Sequence, residues 1–351
     1  MQTIFYPRKD FNVEVCAHRL GKKMTYTEQT DAQQVGNSYT PFMTLAKARN
    51  IKVGCFLMVN IPISNAEMKS DYDGGHIWFD IYSYTSELAS KISGGQTITQ
   101  EEWNAAYQNT LLPNFYGFLG KKPVALSYSY GNQTFADYIT QLLGGRNSGI
   151  SGNTSYGVGY GTPANVAYSF ATYKSRQSTT RWYDQAKTNG NDFSGQLAIQ
   201  SAKIDETLLN GGWLNNFTHW HNYYSDGNEA WAATYLDLLA SKNANNEIYF
   251  AGYGEALAYM VFRQMITDAR MYVPKAEPTK LAIALSAPNT MGIDTDLLQV
   301  PISIKFSTTG TPLAGKQIES DCNIISLGNN EYIIEIPYVS EYSRVFINEK
   351  L

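Results

Sequence analysis

Apolar positions recur in two rhythms along this chain, and the change between them falls near residue 272. In the first part, unbroken apolar runs alternate with stretches of helical period. Residues 41–48 have helical spacing, with Ser38 or Thr40 as a cap and Pro41 near the first turn. Residues 51–59 are almost continuously apolar, which marks a strand buried on both faces of a parallel sheet. Trp103, Ala106, Tyr107 and Leu111 follow i, i+3, i+4 spacing and predict a helix over 100–112. A strand over 124–130 leads to a helix over 135–143 that stops at Gly144-Gly145. Residues 144–165 are rich in Gly, Ser and Asn without period and predict a long surface loop. The alternation resumes with a strand at 214–218, a helix at 228–239, a strand at 248–251 and a helix at 255–266. Strands alternating with helices predict an α/β layer or barrel.

After Met271 the rhythm shortens. Val273-Pro274-Lys275 reads as a linker, and strand-length patterns follow at 281–285, 302–306, 332–336 and 344–347, broken by Gly, Asn and Pro. These predict a small all-β sandwich. The expected domains are therefore 1–272, α/β, and 273–351, β-sandwich.

The composition narrows the function. The net charge is -4 and no basic cluster or stripe is present, which excludes a nucleic-acid footprint. Tyrosine is abundant, at 26 residues, among long Asn/Gly/Ser/Thr stretches. Aromatic faces stack on sugar CH groups while amides and hydroxyls read sugar hydroxyls, so a glycan is the expected partner; tyrosine is also simply favoured in strands. Cys16, Cys55 and Cys322 are far apart and form neither a disulfide framework nor a zinc motif. Cys55 sits in an apolar run and is expected in the core. The opening MQTIFYPRKDFNVEV has no basic region followed by an apolar one, and no segment is long enough to span a bilayer. No signal peptide and no membrane insertion are expected, which fits a cytoplasmic protein or a component of a virus particle, free to oligomerise or assemble.

Two of the four histidines, His219 and His221, stand two apart after the run 211–218. Residues i and i+2 of a strand share a face, so two imidazoles at a strand's end can look into one pocket, where they bind metal or move protons. An ordinary pair of surface or hydrogen-bonded histidines has the same spacing.

Several stretches in order resemble the polysaccharide deacetylase family, also called NodB-homology or carbohydrate esterase family 4. Met24-Thr25-Tyr26-Thr27-Glu28-Gln29-Thr30-Asp31-Ala32 resembles its first strand, which ends in an Asp-Asp pair. Residues 42–59 resemble the helix and apolar strand that follow. Lys122-Pro123-Val124-Ala125-Leu126-Ser127-Tyr128-Ser129-Tyr130-Gly131-Asn132 resembles the strand ending in Pro-Tyr-Gly. Phe217-Thr218-His219 resembles the late Leu-x-His motif, and Glu255 to Tyr259 with Arg263 the closing helix. The resemblance implies a distorted (β/α) barrel of the NodB type with its site at the strand ends. It implies metal-assisted removal of an acetyl group from a sugar: one Asp and two His hold a divalent metal such as zinc, a second Asp is the base and the late His the acid. A backbone N–H after the Pro-Tyr segment helps hold the oxyanion.

The departures from that pattern are as informative. With Asp31 as the metal-binding aspartate, Thr30 stands where the base belongs. Tyr84 and Leu88 fall at the positions of the His-x-x-x-His pair, and leucine cannot ligate. Ser127 and Ser129 replace the usual Arg and Pro. A rearranged set of His76, His18, Asp31 and His221 is conceivable, although loop positions are the plainer expectation for His76 and His18. Glu28 could replace the base, but residues three apart on a strand face opposite sides. Asp226 and Glu229 are expected to be loop and helix-end charges. Three functions follow. One is a degenerate deacetylase-like domain without a cofactor, which binds a polysaccharide between Tyr84, Tyr128, Tyr130, Gly131, Trp213, Trp220 and His221, with Asp31 and His219 as remnants of the catalytic site. The other is an active zinc-dependent esterase with a rearranged site. A structural or host-glycan-binding virion component is a third.

Overall fold

The computed structural model describes residues 10–31, 38–60, 62–82, 85–128, 144–147, 177–290 and 293–350. In chain order its strands are β1 (Asp10–Phe11), β2 (Val13–Val15), β3 (Met24–Asp31), β4 (Val53–Met58), β5 (Ile77–Tyr82), β6 (Ala125–Tyr128), β7 (Gly144–Asn147), β8 (Gln177–Thr180), β9 (Gly212–Phe217), β10 (Ile248–Ala251), β11 (Asp268–Tyr272), β12 (Leu281–Ser286), β13 (Ile302–Ser307), β14 (Ile318–Glu319), β15 (Asn323–Gly328), β16 (Glu331–Ile336) and β17 (Tyr342–Glu349).

β3 to β10 form one parallel sheet in the order β7-β6-β5-β4-β3-β9-β8, with β10 also paired to β3. β9 runs along one edge of β3 from Met24 to Gln29. On the other edge β10 pairs with Met24–Thr27, and β4 takes over at Gln29–Asp31. Among the described residues no pairing joins β7 to β8, so the described strands do not close the barrel expected from the family resemblance.

The period-2 pattern of the strands sorts them by face. Tyr26, Val53, Cys55, Leu57, Phe79, Ile81 and Leu214 point into a core shared with helix residues Phe42, Met43, Trp182, Trp220, Tyr235 and Leu239. The other face is buried too, but mixed: Thr27, Gln29 and Asn215 lie there with Phe56, Trp78, Asp80 and Trp213. Asp80 fastens this face. Its carboxylate accepts from the backbone N–H groups of Gly254 (2.8 Å), Ala125 (3.0 Å) and Val124 (3.2 Å), joining β5 to the start of β6 and to the helix Tyr253–Met265. Gly254 has no room for a side chain: a Cβ there would lie 2.3 Å from Asp80 Oδ1. Burial pushes the Asp80 carboxyl up to about 7, against the pull of those N–H donors.

Several expectations change. The helix over 100–112 does not stop before Pro113. It starts in a Thr99/Glu102 capping box, widens through a π turn at Tyr107–Leu111, and continues as Leu112–Leu119. A proline cannot donate to the ladder and crowds the carbonyl four residues back; the wider turn accommodates this. Gly144–Asn147 is not the start of a loop but a strand paired with β6. The helix Phe193–Asn210 has no counterpart in the sequence expectation. The helix expected over 135–143 lies outside the described residues.

The chain divides into two compact units: Lys23–Ala258 with Met291–Leu297, and Met1–Lys22 with Tyr259–Thr290 and Leu298–Leu351. The second contains the antiparallel sheets β1-β11-β12-β17-β14 and β15-β16-β13-β2. The sequence boundary at 272/273 falls between β11 and β12, which pair through five residue couples from Asp268↔Ser286 to Tyr272↔Ala282. The all-β part also draws its β1 and β2 from the N-terminus, where Val13–Val15 pairs with Ile304–Phe306. No helix among the described residues is long and apolar enough to cross a membrane.

Asp80→Asn is expected to lower the unfolding free energy by about 1–3 kcal/mol, because an amide nitrogen then opposes a backbone donor in a buried site. The pH dependence has a definite sign. The folded pKa lies above the unfolded one, so the native state holds a proton that the unfolded chain releases. This contribution to stability is full below about pH 4 and is lost as the pH rises to about 7. Urea titrations across that range check both points, with the Asp80 share of the slope expected to be missing in the variant.

Candidate functional site

The C-terminal ends of β8, β9 and β3 lie side by side. β9 ends at Phe217, which pairs with Gln29, and the ladder continues as Thr218 N–H donates to the Gln29 carbonyl (2.9 Å). Asp31 and His219 therefore each lie two residues beyond the same couple, on neighbouring strands. Asp31 ends β3 opposite Phe56; of its side chain, as of Tyr128's, nothing is described. His219 is half-buried at the N-cap of the short helix Trp220–Ser225, edge-on to Phe217 with ring centroids 4.8 Å apart. His221 is exposed within that helix, its ring 5.4 Å from His219. The two imidazoles are neighbours, but through a strand-to-helix turn and not along one strand face. Arg181, the residue after β8, lays its guanidinium over Phe217 at 5.2 Å and pairs with Asp184 at 2.5 Å.

Three successive residues of β3 hold the 216–220 run. The Glu28 carboxylate accepts from the Asn216 amide (2.7 Å), Gln29 O accepts Thr218 N–H, and Thr30 Oγ1 accepts Trp220 N–H (3.4 Å). Glu28 is fully buried on the helix-facing side, where Tyr235 OH also donates to it (2.5 Å). Tyr235 and Tyr26 share a hydroxyl–hydroxyl bond of 2.5 Å, and Gln200 Nε2 donates to Tyr26 (2.7 Å). Burial, and then the Glu28 charge, hold the Tyr26, Tyr235 and Tyr223 hydroxyls well above their usual range, so they stay neutral. The sequence argument excluded Glu28 as a base by strand parity, and its side chain does turn to the helices. Its role as the centre of a buried network was missed; the signal was polarity on both faces of residues 24–31.

Other expected site residues are placed elsewhere. Trp220 is wholly buried and stacks on Phe42 at 4.3 Å, so it is core and not a groove wall. Trp213 is buried on the mixed face, donating from Nε1 to Thr27 Oγ1 (2.9 Å) with Tyr253 at 5.1 Å. It too presents no platform at the surface. Trp182 and Tyr183 are core. Asp226 caps helix Trp220–Ser225 at its C-terminus and accepts from Tyr183 OH, and Glu229 lies in the first turn of helix Glu229–Lys242. Tyr84, Ser129, Tyr130 and Gly131 lie outside the described residues.

A three-ligand zinc centre does not fit what is described. Leu88 is 2% exposed in the helix-side core. His76 is exposed just before β5, at the opposite end of the sheet, where its carbonyl accepts Val53 N–H. His18 belongs to the other compact unit. Among the described residues no three His, Cys, Asp or Glu come together as a metal site.

No protein-family model matches this chain, and no curated protein does. Solved structures are similar over part of it. A family 4 carbohydrate esterase from Streptomyces lividans, in complex with acetate, is 11% identical over 65% of this chain and 90% of that one, with a TM-score of 0.35. A protein from Mycobacterium smegmatis described as a polysaccharide deacetylase is 10% identical over 70% and 93%, with a TM-score of 0.40. A polysaccharide deacetylase from Bacillus cereus is 12% identical over 66% and 92%, with a TM-score of 0.35.

Glu28→Ala is expected to cost about 3 kcal/mol or more, because the Tyr235 hydroxyl and the Asn216 amide both lose a buried acceptor. Glu28→Gln, whose carbonyl oxygen can accept from both, should cost less than half as much. Urea unfolding of the two variants beside the parent checks the order.

Proposed function

We propose that the parallel α/β unit binds a polysaccharide at the C-terminal ends of β8, β9 and β3, and does so without metal-assisted deacetylation. One observation carries the second half. The residue at the position of the catalytic base is Thr30, and its hydroxyl is engaged by the Trp220 N–H. A neutral hydroxyl is far too weak a base to take a proton from water, and this one already accepts a hydrogen bond. Leu88, buried at a ligand position, supports the same conclusion. For binding, Arg181, His219 and His221 offer nitrogen donors and acceptors around Phe217, a combination that suits sugar hydroxyls. We interpret the parallel sheet as the distorted barrel of the deacetylase fold, with its seam between β7 and β8.

A rearranged, active esterase is the second interpretation. It is favoured by the neighbouring positions of Asp31 and His219 at the ends of paired strands. The test uses the full chain, since a fragment ending at 272 would separate β11 from β12. Calorimetric titration with acetylated chito-oligosaccharides and with zinc is combined with an acetate-release assay. Saccharide binding that weakens about tenfold in His219→Ala, with neither stoichiometric zinc nor acetate release, is the expected result; one lost hydrogen bond of about 1.4 kcal/mol corresponds to that factor. One zinc per chain together with acetate release abolished in His219→Ala would establish the esterase instead.

A further inference from the structure

The sheet β1-β11-β12-β17-β14 of the second unit presents two different faces. On one, β12 buries Leu281, Ile283 and Leu285 beside Met271 of β11 and Ile347 of β17. On the other, β12 carries only Ala282, Ala284 and Ser286. The flanking strands set long side chains in register with these small ones. Tyr272 and Phe346 stand on either side of Ala282, Arg270 and Arg344 on either side of Ala284, and Asp268 and Tyr342 on either side of Ser286. Tyr272, Phe346 and the two alanines form a small apolar cluster of their own. Arg344 and Tyr342 stand exposed at its margin, the tyrosine at 59%.

The charges on this face are not balanced. Arg270 is paired with Asp268 (2.7 Å) and Lys280 with Glu277 (2.7 Å). Glu341, just before Tyr342, accepts from the Asn289 N–H (3.2 Å). Glu319 lies opposite Asn348, four residues along β17 from Arg344. Arg344 makes no ion pair among the described residues; its guanidinium lies over the Phe346 ring at 5.0 Å, and Lys280 lies 5.9 Å from the same ring. A cation held over a ring is restricted in position and keeps its N–H donors for an acceptor.

We propose that this face binds a carboxylated glycan, with Arg344 donating to a sugar carboxylate and Tyr342 stacking on the sugar ring. A guanidinium fork matches a carboxylate in both charge and shape. Tyr342 and Arg344 are two residues apart on one strand face, about 7 Å along it. A sugar ring lying on the tyrosine therefore brings a carboxylate substituent within reach of the guanidinium. The single unpaired cation sets the preference for acid over neutral sugar, and the exposed ring beside it sets the preference for a sugar over an acidic peptide.

The test is calorimetric titration of the full chain with tetragalacturonate, with its methyl ester, which lacks the charge, and with tetraglutamate. Tetragalacturonate is expected to bind about tenfold more tightly than either of the others, the contribution of one charge-assisted pair. Arg344→Ala should weaken that binding about tenfold, and Tyr342→Ala about threefold. Both positions are exposed, and the comparison with the ester is made on the parent protein, so it depends on no variant. Three results would each overturn the proposal: no saturable binding by the parent, an affinity for the ester or for tetraglutamate as high as for the acid sugar, or unchanged binding in either variant.

Discussion

Glu28, Gln29 and Thr30 fasten β9 and the turn beyond it to the central strand, by a carboxylate, a carbonyl and a hydroxyl in succession. The first of these bonds is the demanding one. A carboxylate taken fully out of water is costly unless donors meet it. Here one oxygen, Oε2, accepts from the Tyr235 hydroxyl and the Asn216 amide, and Tyr26 and Gln200 extend the hydrogen-bonded chain behind Tyr235. The network spans β3, β9 and the helices Phe193–Asn210 and Glu229–Lys242. It also fixes register, since sliding β3 by one residue would turn Glu28 to the opposite face and leave every donor without its acceptor.

The opposite face of the sheet solves a different problem. β10 and β4 share one edge of β3 end to end, and the chain leaving β10 must turn within a few residues. It turns against β5, at glycines whose missing side chains leave room for Trp78 and Asp80. The backbone N–H groups of that turn and of β6 find their acceptor in Asp80. Each face of the sheet is thus organised around one buried acid.

Much of this was legible in the sequence where local pattern and final environment agree. The apolar run of β4 could only be a strand buried on both sides, and it is. Histidine is scarce in the chain, so the His219/His221 pair at a strand end attracted notice, and His219 stands beside the end of β3. The failures occurred where a distant partner decided the outcome. Trp220 follows a histidine at a strand end and resembles a groove wall, yet the helix starting there turns its indole onto Phe42. The helix expected over 100–112 runs on through Pro113, because a wider turn absorbs the proline. Gly144–Asn147 has a loop composition and becomes a strand because β6 offers a free edge. β1 and β2 are two and three residues long, too short for any periodicity to register.

Those two short strands bear on how the molecule is made. Phe11 lies opposite Met271, and Val13 opposite Phe306, so a segment that precedes the parallel unit completes sheets whose other strands are translated after it. On a ribosome, the N-terminal residues must remain unmated while the entire parallel unit emerges and collapses. Pairings of such sequence separation form slowly and leave strand edges exposed in the interval. While those partners are still to be made, a chaperone or a neighbouring nascent chain can compete for the first two strands.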